Sequence, residues 1–179
     1  MLFASLLLFP ILGWAMQALV FHPAGNCWVT DDTTISCRNI SERTCCMVTG
    51  PFCGVLNCEN CPVGSIVNTY FEHACSADAD SWCKVTHPFD NKGGCCVDLG
   101  LAETCSGMWW DPSATAVSAA SERNCVEPNH MTYVDHDHGV KREIHIPQGE
   151  LERATRLLLA RNFTALGMFK DWADQSSNE

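Results

Sequence analysis

Thirteen cysteines, all lying between Cys27 and Cys125, constrain this chain more than any other feature. Within that stretch their density exceeds the roughly 8–10% that marks a disulfide scaffold in a short secreted chain. A cytosolic protein keeps its thiols reduced, and there the same density would suggest metal binding. The doublets Cys45-Cys46 and Cys95-Cys96 argue against zinc. Zinc sites favour paired CxxC knuckles, and only Cys58-Glu59-Asn60-Cys61 has that spacing. Cys27, Cys37, Cys45, Cys46, Cys53, Cys58, Cys61, Cys75, Cys83, Cys95, Cys96, Cys105 and Cys125 are therefore all disulfide candidates. Thirteen cysteines make at most six bridges and leave one thiol over. Cys125 stands most apart in sequence, with Cys58 or Cys61 as the alternatives. Spacing does not give the connectivity. A bridge contributes roughly 2–4 kcal/mol by restricting the unfolded chain, which offsets the small core that short units can build.

The compartment follows from the other end of the argument. Residues 1–18 carry no charged side chain, run apolar from Leu2 to Trp14, and end in the small residues of Ala15 to Ala18. This is the pattern of a secretory signal peptide, with cleavage expected after Ala18. A membrane anchor needs roughly 20 apolar residues; Pro10 and Gly13 interrupt this run, and no basic cluster follows it. The mature chain is expected to be secreted and extracellular, with no membrane association after cleavage. Asn39-Ile40-Ser41 and Asn162-Phe163-Thr164 are N-glycosylation sequons, which makes the chain a candidate glycoprotein. A net charge of −10 disfavours nucleic acid and anionic membrane partners, which need basic patches.

The cysteines repeat. Cys27, Cys37, Cys45-Cys46 and Cys53 are matched by Cys75, Cys83, Cys95-Cys96 and Cys105 at offsets of 48, 46, 50, 50 and 52 residues. Both doublets are followed by a Gly, a short gap and another Cys. The organisation expected is a signal peptide (1–18), a cysteine-rich body (19–130) with an internal repeat of units 27–61 and 75–125, a His/Asp-rich segment (131–146), a C-terminal helix (147–173) and a polar tail (174–179). The fold class expected is a small disulfide-rich α+β or irregular body of two related cysteine-rich halves plus a C-terminal amphipathic helix. Gly50-Pro51 and Asp111-Pro112-Ser113 signal turns, and Ile66 to Phe71 reads as a strand. Beyond Pro147, Leu151, Ala154, Leu158, Ala165, Phe169 and Trp172 fall near helical spacing. Asn162 and Gly167 weaken the middle and allow two shorter helices. Lys141-Arg142 is a dibasic pair that a processing protease would recognise.

Catalytic signatures are sparse. There is no HExxH and no GxSxG, and a cysteine nucleophile is improbable where thiols are oxidised. His136 and His138, two apart, would share one face of a strand and grip zinc or copper with His130 or His145 as a third ligand. His136, Glu143 and His145, with Arg142, are the residue types of a metal-free ribonuclease, but an acidic chain suits a polyanionic substrate poorly. Trp28, Phe52, Trp82, Trp109 and Trp110 lie in or beside the cysteine framework, where exposed rings would stack on sugars and buried ones fill a core.

Cys27, Cys37, Cys45-Cys46, Gly50, Cys53-Gly54, Cys58 and Cys61 together resemble a hevein-like chitin-binding module. The resemblance covers about 35 residues and implies a glycan partner. It departs from the family at Met47, where a Ser follows the doublet, and of the family's aromatic cluster only Phe52 is matched. The doubled C…CC…C order resembles hydrophobins too, but five further cysteines and a charged helix separate the chain from them. In secretion, size and cysteine content the chain is similar to small secreted cysteine-rich fungal proteins, many of them effectors. The expectation is a non-enzymatic, effector-like extracellular binding protein with a protein or glycan partner. The alternatives are a chitin or glycan binder, a His-based metal site and, last, a secreted nuclease.

Overall fold

A computed structural model describes residues 17–23, 33–71, 74–75, 78–87, 95–97, 104–113 and 125–172. The leader up to residue 16, Cys27, Trp28 and the tail beyond 172 lie outside the described residues. Ala18–His22 forms β1, the hub of the first sheet. Its sequence Ala-Leu-Val-Phe-His does not alternate because both faces are covered: Ala18, Leu19, Val20 and Phe21 are all buried. β1 pairs antiparallel with β2 (Thr34–Arg38) on one side and β4 (Val55–Glu59) on the other. Gly54, just before β4, passes so close to His22 that a Cβ would collide with its carbonyl oxygen.

The first sheet has the order β11-β10-β2-β1-β4-β7, where β7 is Cys96–Val97 and β10 (His130–Asp135) and β11 (Val140–His145) form a hairpin. The second sheet has the order β6-β5-β8-β3-β9, with β3 at Cys45–Met47, β5 at Ile66–Tyr70, β6 at Ser81–Lys84, β8 at Ser106–Trp110 and β9 at Cys125–Val126. Among the described strands, only β3 and β9 pair in parallel. Leu19, Phe21, Ile35, Leu56, Met131, Tyr133 and Ile144 of the first sheet join Val67 and Trp109 of the second in one core cluster.

The two sheets share a plan. From β2 the first runs β2-β1-β4-β7; from β6 the second runs β6-β5-β8-β3. The registers correspond as well. Ala18 faces Arg38 on one side and Glu59 on the other, as Ile66 faces Lys84 and Trp110. Each sheet takes its fourth strand from the other stretch of chain, β7 closing the first and β3 entering the second.

The structure corrects the expected fold class. The protein is mostly β, with eleven strands among the described residues, not an α+β or irregular body with a long helix. The strands are two to six residues long, and their buried positions are filled by Cys, Ser and Thr as well as aliphatic residues, so no clean alternation marks them in sequence. The cysteine units do not form two separate halves either: β3 and β7 are exchanged between sheets, and Cys45–Cys75 and Cys53–Cys105 tie one unit to the other. Cys37–Cys46, Cys58–Cys61 and Cys83–Cys95 bridge within units, and Cys96 is disulfide-bonded too. The expected C-terminal helix is two short ones, α1 (Leu151–Leu159) and α2 (Phe163–Leu166). Arg161 breaks them with a left-handed backbone at φ 53°, and Asn162 caps α2 by accepting from the Ala165 amide. Leu151, Ala154, Phe163 and Leu166 bury the helices' inner side against the core.

Candidate functional site

The outer face of the second sheet carries the most distinctive surface. Side chains alternate across a strand, and the register puts Ile66, Asn68, Trp82, Lys84, Met108 and Trp110 on one face, with Val67, Cys83 and Trp109 on the other. The inner set joins the core: Trp109 is 7% exposed and donates its indole N–H to the Ile40 carbonyl at 3.2 Å. The outer set does not join it, and of that set Met108 alone is buried, in a separate small cluster. Trp82 is 62% exposed, Lys84 is exposed, and Ile66, Asn68 and Trp110 are half-buried. Trp82 and Trp110 flank β5 from opposite sides, two strands apart and two residues along, a Cα separation of about 12 Å at ordinary strand spacing and rise. Of the aromatic residues singled out in sequence, Phe52 and Trp109 are core, and Trp82 and Trp110 share this open face.

That face ends in a sulfur-rich cluster. Cys45, Tyr70, Cys75 and Met108 are buried together, with Cys125 and Ala79 packed against them, apart from the main core. β9 runs parallel to β3 with Cys125 beside Cys45. The Cys125 thiol donates to the Cys45 sulfur at 2.7 Å, and the Cys75 amide donates to that same sulfur at 3.3 Å. Burial pushes the Cys125 pKa up, and the Cys75 backbone N–H acts the other way.

The histidines are divided. His136 and His138 fall in the turn between β10 and β11, not on a strand, and both are exposed. His138 Nδ1 contacts an Asp135 carboxylate oxygen at 2.9 Å, and Arg142 Nε donates to the same oxygen at 3.1 Å. Burial alone would raise the Asp135 pKa, but the His138 and Arg142 hydrogen bonds outweigh it and hold the carboxyl below its ordinary range. His136 lies edge-on to Phe163. Among the described residues no group of three His, Cys, Asp or Glu side chains is placed to hold a metal.

Glu143 and His145 lie at the far end of the hairpin. His130 faces His145 across it, and His136 is six residues further along the chain, in the turn just past β10, ~20 Å away. The trio His136, Glu143 and His145 is therefore not assembled. Glu143 instead meets His130, whose Nε2 is 3.3 Å from Glu143 Oε2 while its Nδ1 is 3.0 Å from Ser36 Oγ. The order Ser–His–Glu is that of a nucleophile relay, but Ser36 is 1% and His130 0% exposed, so no substrate reaches the hydroxyl. Burial, with the charges of Arg38, His145 and Lys141, lowers the His130 pKa to about 3. Trp172 covers the group, its ring 4.9 Å from His130 and 5.9 Å from His145, with the Arg38 guanidinium 5.5 Å from its centroid. Sequence reasoning missed Ser36 and the cover by Trp172, because Ser36 and His130 lie 94 positions apart and nothing local connects them.

An open cleft of about 360 Å³ lies beside the hairpin turn, lined by Phe52, Val134, His136, Leu158, Arg161 and Phe163 among others. Asn39 is exposed in a left-handed turn at φ 59°, and Asn162, also exposed, uses its side-chain oxygen to cap α2. Lys141 and Arg142 sit within β11, paired with Val134 and Tyr133. No helix among the described residues is long and apolar enough to cross a membrane. Comparison with known proteins finds no matching family model, no matching curated protein and no matching solved structure.

Proposed function

We propose that this is a secreted, disulfide-stabilised binding protein that holds a glycan on the Trp82–Trp110 face, without catalysis. One observation carries the reading: Trp82 stands 62% exposed on a rigid sheet, on the same face as Trp110, while Trp109 between them in register points inward. A large exposed indole gains nothing from folding and is suited to stacking on an apolar sugar face. Asn68 and Lys84 sit beside the rings as hydrogen-bond donors. A Cα separation of ~12 Å between the two tryptophans suits an oligosaccharide better than a single sugar. The sealed Ser36–His130 pair supports the non-catalytic part of the reading. The earlier effector-like expectation remains compatible, with the glycan as the molecule held.

Secretion belongs to the same proposal. Ala18 pairs with Arg38 and Glu59, and the Gln17 carbonyl accepts from the Ile40 amide, so a leader compatible with this sheet ends before Gln17. Gly13 and Ala15 supply small residues at the spacing a signal peptidase uses, and the mature chain is expected to start at Met16. Intact mass of the secreted protein tests this; a start at Leu19 would remove strand residues and count against it.

The glycan reading is tested by co-sedimentation of the purified protein with insoluble chitin and with cellulose. The wild type should sediment with at least one; Trp82→Ala should lose most of that binding with an unchanged melting temperature, and Trp110→Ala, whose ring is half-buried, should lose most of it while still unfolding in one cooperative transition. Retention of full binding by both variants, or no binding by the wild type, would refute it.

A further inference from the structure

We infer that the cleft beside the β10–β11 turn is a binding site for a small amphipathic carboxylate, with the chemistry of a medium-chain fatty acid. Its volume of about 360 Å³ falls within the range of ligand pockets, roughly 300–1,000 Å³. The walls are mostly apolar: the Phe52 and Phe163 rings meet Val134 of β10 and Leu158 of α1 there. Two basic side chains interrupt that lining, Arg161 and His136, and both carry N–H donors. Among the described residues no Asp or Glu lines the cleft. In a chain of net charge −10 this is a local reversal of sign. Apolar walls with a few converging donors suit a ligand that has an apolar body and one anionic end.

The placement of Arg161 supplies a second, independent observation. It stands just past Ala160, the C-cap of α1, with a left-handed backbone at φ 53°. The Arg161 amide donates to the Leu158 carbonyl and the Asn162 amide to the Leu157 carbonyl, both at 2.9 Å. These are the two hydrogen bonds of a Schellman motif, whose left-handed residue is usually Gly. An arginine is strained there. Among the described residues its guanidinium makes no ion pair or hydrogen bond, and the side chain is exposed. The motif thus anchors the base of a side chain whose planar fork matches a carboxylate in two parallel hydrogen bonds. His136 is held beside it by its edge contact with Phe163, ring centroids 6.0 Å apart. The Asp135 carboxylate, on the same turn, is already engaged by Arg142 and His138. No residue of the Trp82–Trp110 face lines the cleft, so this site stands apart from the glycan reading.

Calorimetric titration of the intact secreted protein with decanoate, octanoate and decanol tests the site. Decanoate should bind, several-fold more tightly than octanoate because two more methylenes are buried, and more tightly than decanol, which lacks the charge. Arg161→Asn keeps a residue that tolerates the left-handed backbone. It should weaken decanoate by roughly 10-fold or more and remove the preference over decanol. Leu159 lines the same cleft and is 63% exposed, so Leu159→Glu should leave the fold intact and weaken decanoate by like-charge repulsion. Trp82→Ala should bind decanoate as the wild type does. No decanoate binding at millimolar concentration would overturn the inference. So would decanol binding as tightly as decanoate, or full decanoate affinity in Arg161→Asn. Loss of decanoate binding in Trp82→Ala would place the site on the other face and overturn it equally.

Discussion

The first and second sheets follow one plan of four strands with matching registers, yet they end in different situations. The first is extended past β2 by the β10–β11 hairpin, its outer residues Ser36, Thr132 and His130 are buried, and Trp172 lies against His130. The second ends at β6, and the position matching Ser36 is Trp82. The same framework thus holds a small buried polar residue on one side and a large exposed aromatic on the other. What surrounds a sheet, rather than its internal pairing, decides whether a position serves the core or faces a partner.

The largest effect should separate the two hubs. Phe21 in β1 is fully buried between Ile35 and Leu56, and its matched position in β5 is Thr69, whose hydroxyl donates to the Ser81 carbonyl. Phe21→Ala should cost about 3–5 kcal/mol, and Thr69→Ala about 1 kcal/mol, by denaturant unfolding. Equal costs would mean that the core does not rest on the first sheet.

Acid should attack the first sheet's extension. His130 titrates at about 3 in the fold against an ordinary 6.5. Between those values the unfolded chain binds a proton that the folded chain refuses, so stability falls as pH falls, by up to about 1.4 kcal/mol per pH unit from this residue. His130→Gln should flatten that part of the melting temperature's pH profile, whatever it does to stability at neutral pH. An unchanged slope would place the acid sensitivity elsewhere.

A smaller effect tests how the sheets meet. Leu56 and Gly107 occupy matched positions in β4 and β8 and touch: a Cβ on Gly107 would fall 2.2 Å from Leu56 Cδ2. One large and one absent side chain fill the shared space. Gly107→Val should cost about 1–3 kcal/mol by overpacking, and adding Leu56→Ala should cost less than the sum of the two changes. Strict additivity would show that the two sites do not share that space.

The disulfide scaffold and the strand at Ile66 were legible from residue type and spacing. The β architecture was not. β1 reads as the tail of an apolar leader because it is covered on both faces, and Cys37, Cys46 and Cys58 take buried strand positions that a hydrophobic pattern does not count. His136 and His138 looked like strand neighbours, but Gly139, with φ at 66°, turns the chain there. The open face was half legible: the tryptophans were evident, while the division of Trp109 from Trp82 and Trp110 depends on a register between distant strands.

The smallest expected effect bears most directly on function. Trp82 has the size of a core residue without the burial of one, so Trp82→Ala should change stability by no more than about ±0.5 kcal/mol, as exposed positions do. Trp109→Phe removes the hydrogen bond to the Ile40 carbonyl and should cost about 1 kcal/mol or more, because that buried carbonyl loses its indole donor. Paired thermal melts measure both. If Trp82→Ala destabilises as much as Trp109→Phe, the Trp82 ring is covered in solution. The second sheet would then be closed like the first, and the glycan reading would lose its surface. If Trp82→Ala leaves the melting temperature alone and abolishes binding to the polysaccharide, the exposed indole serves a partner and not the fold.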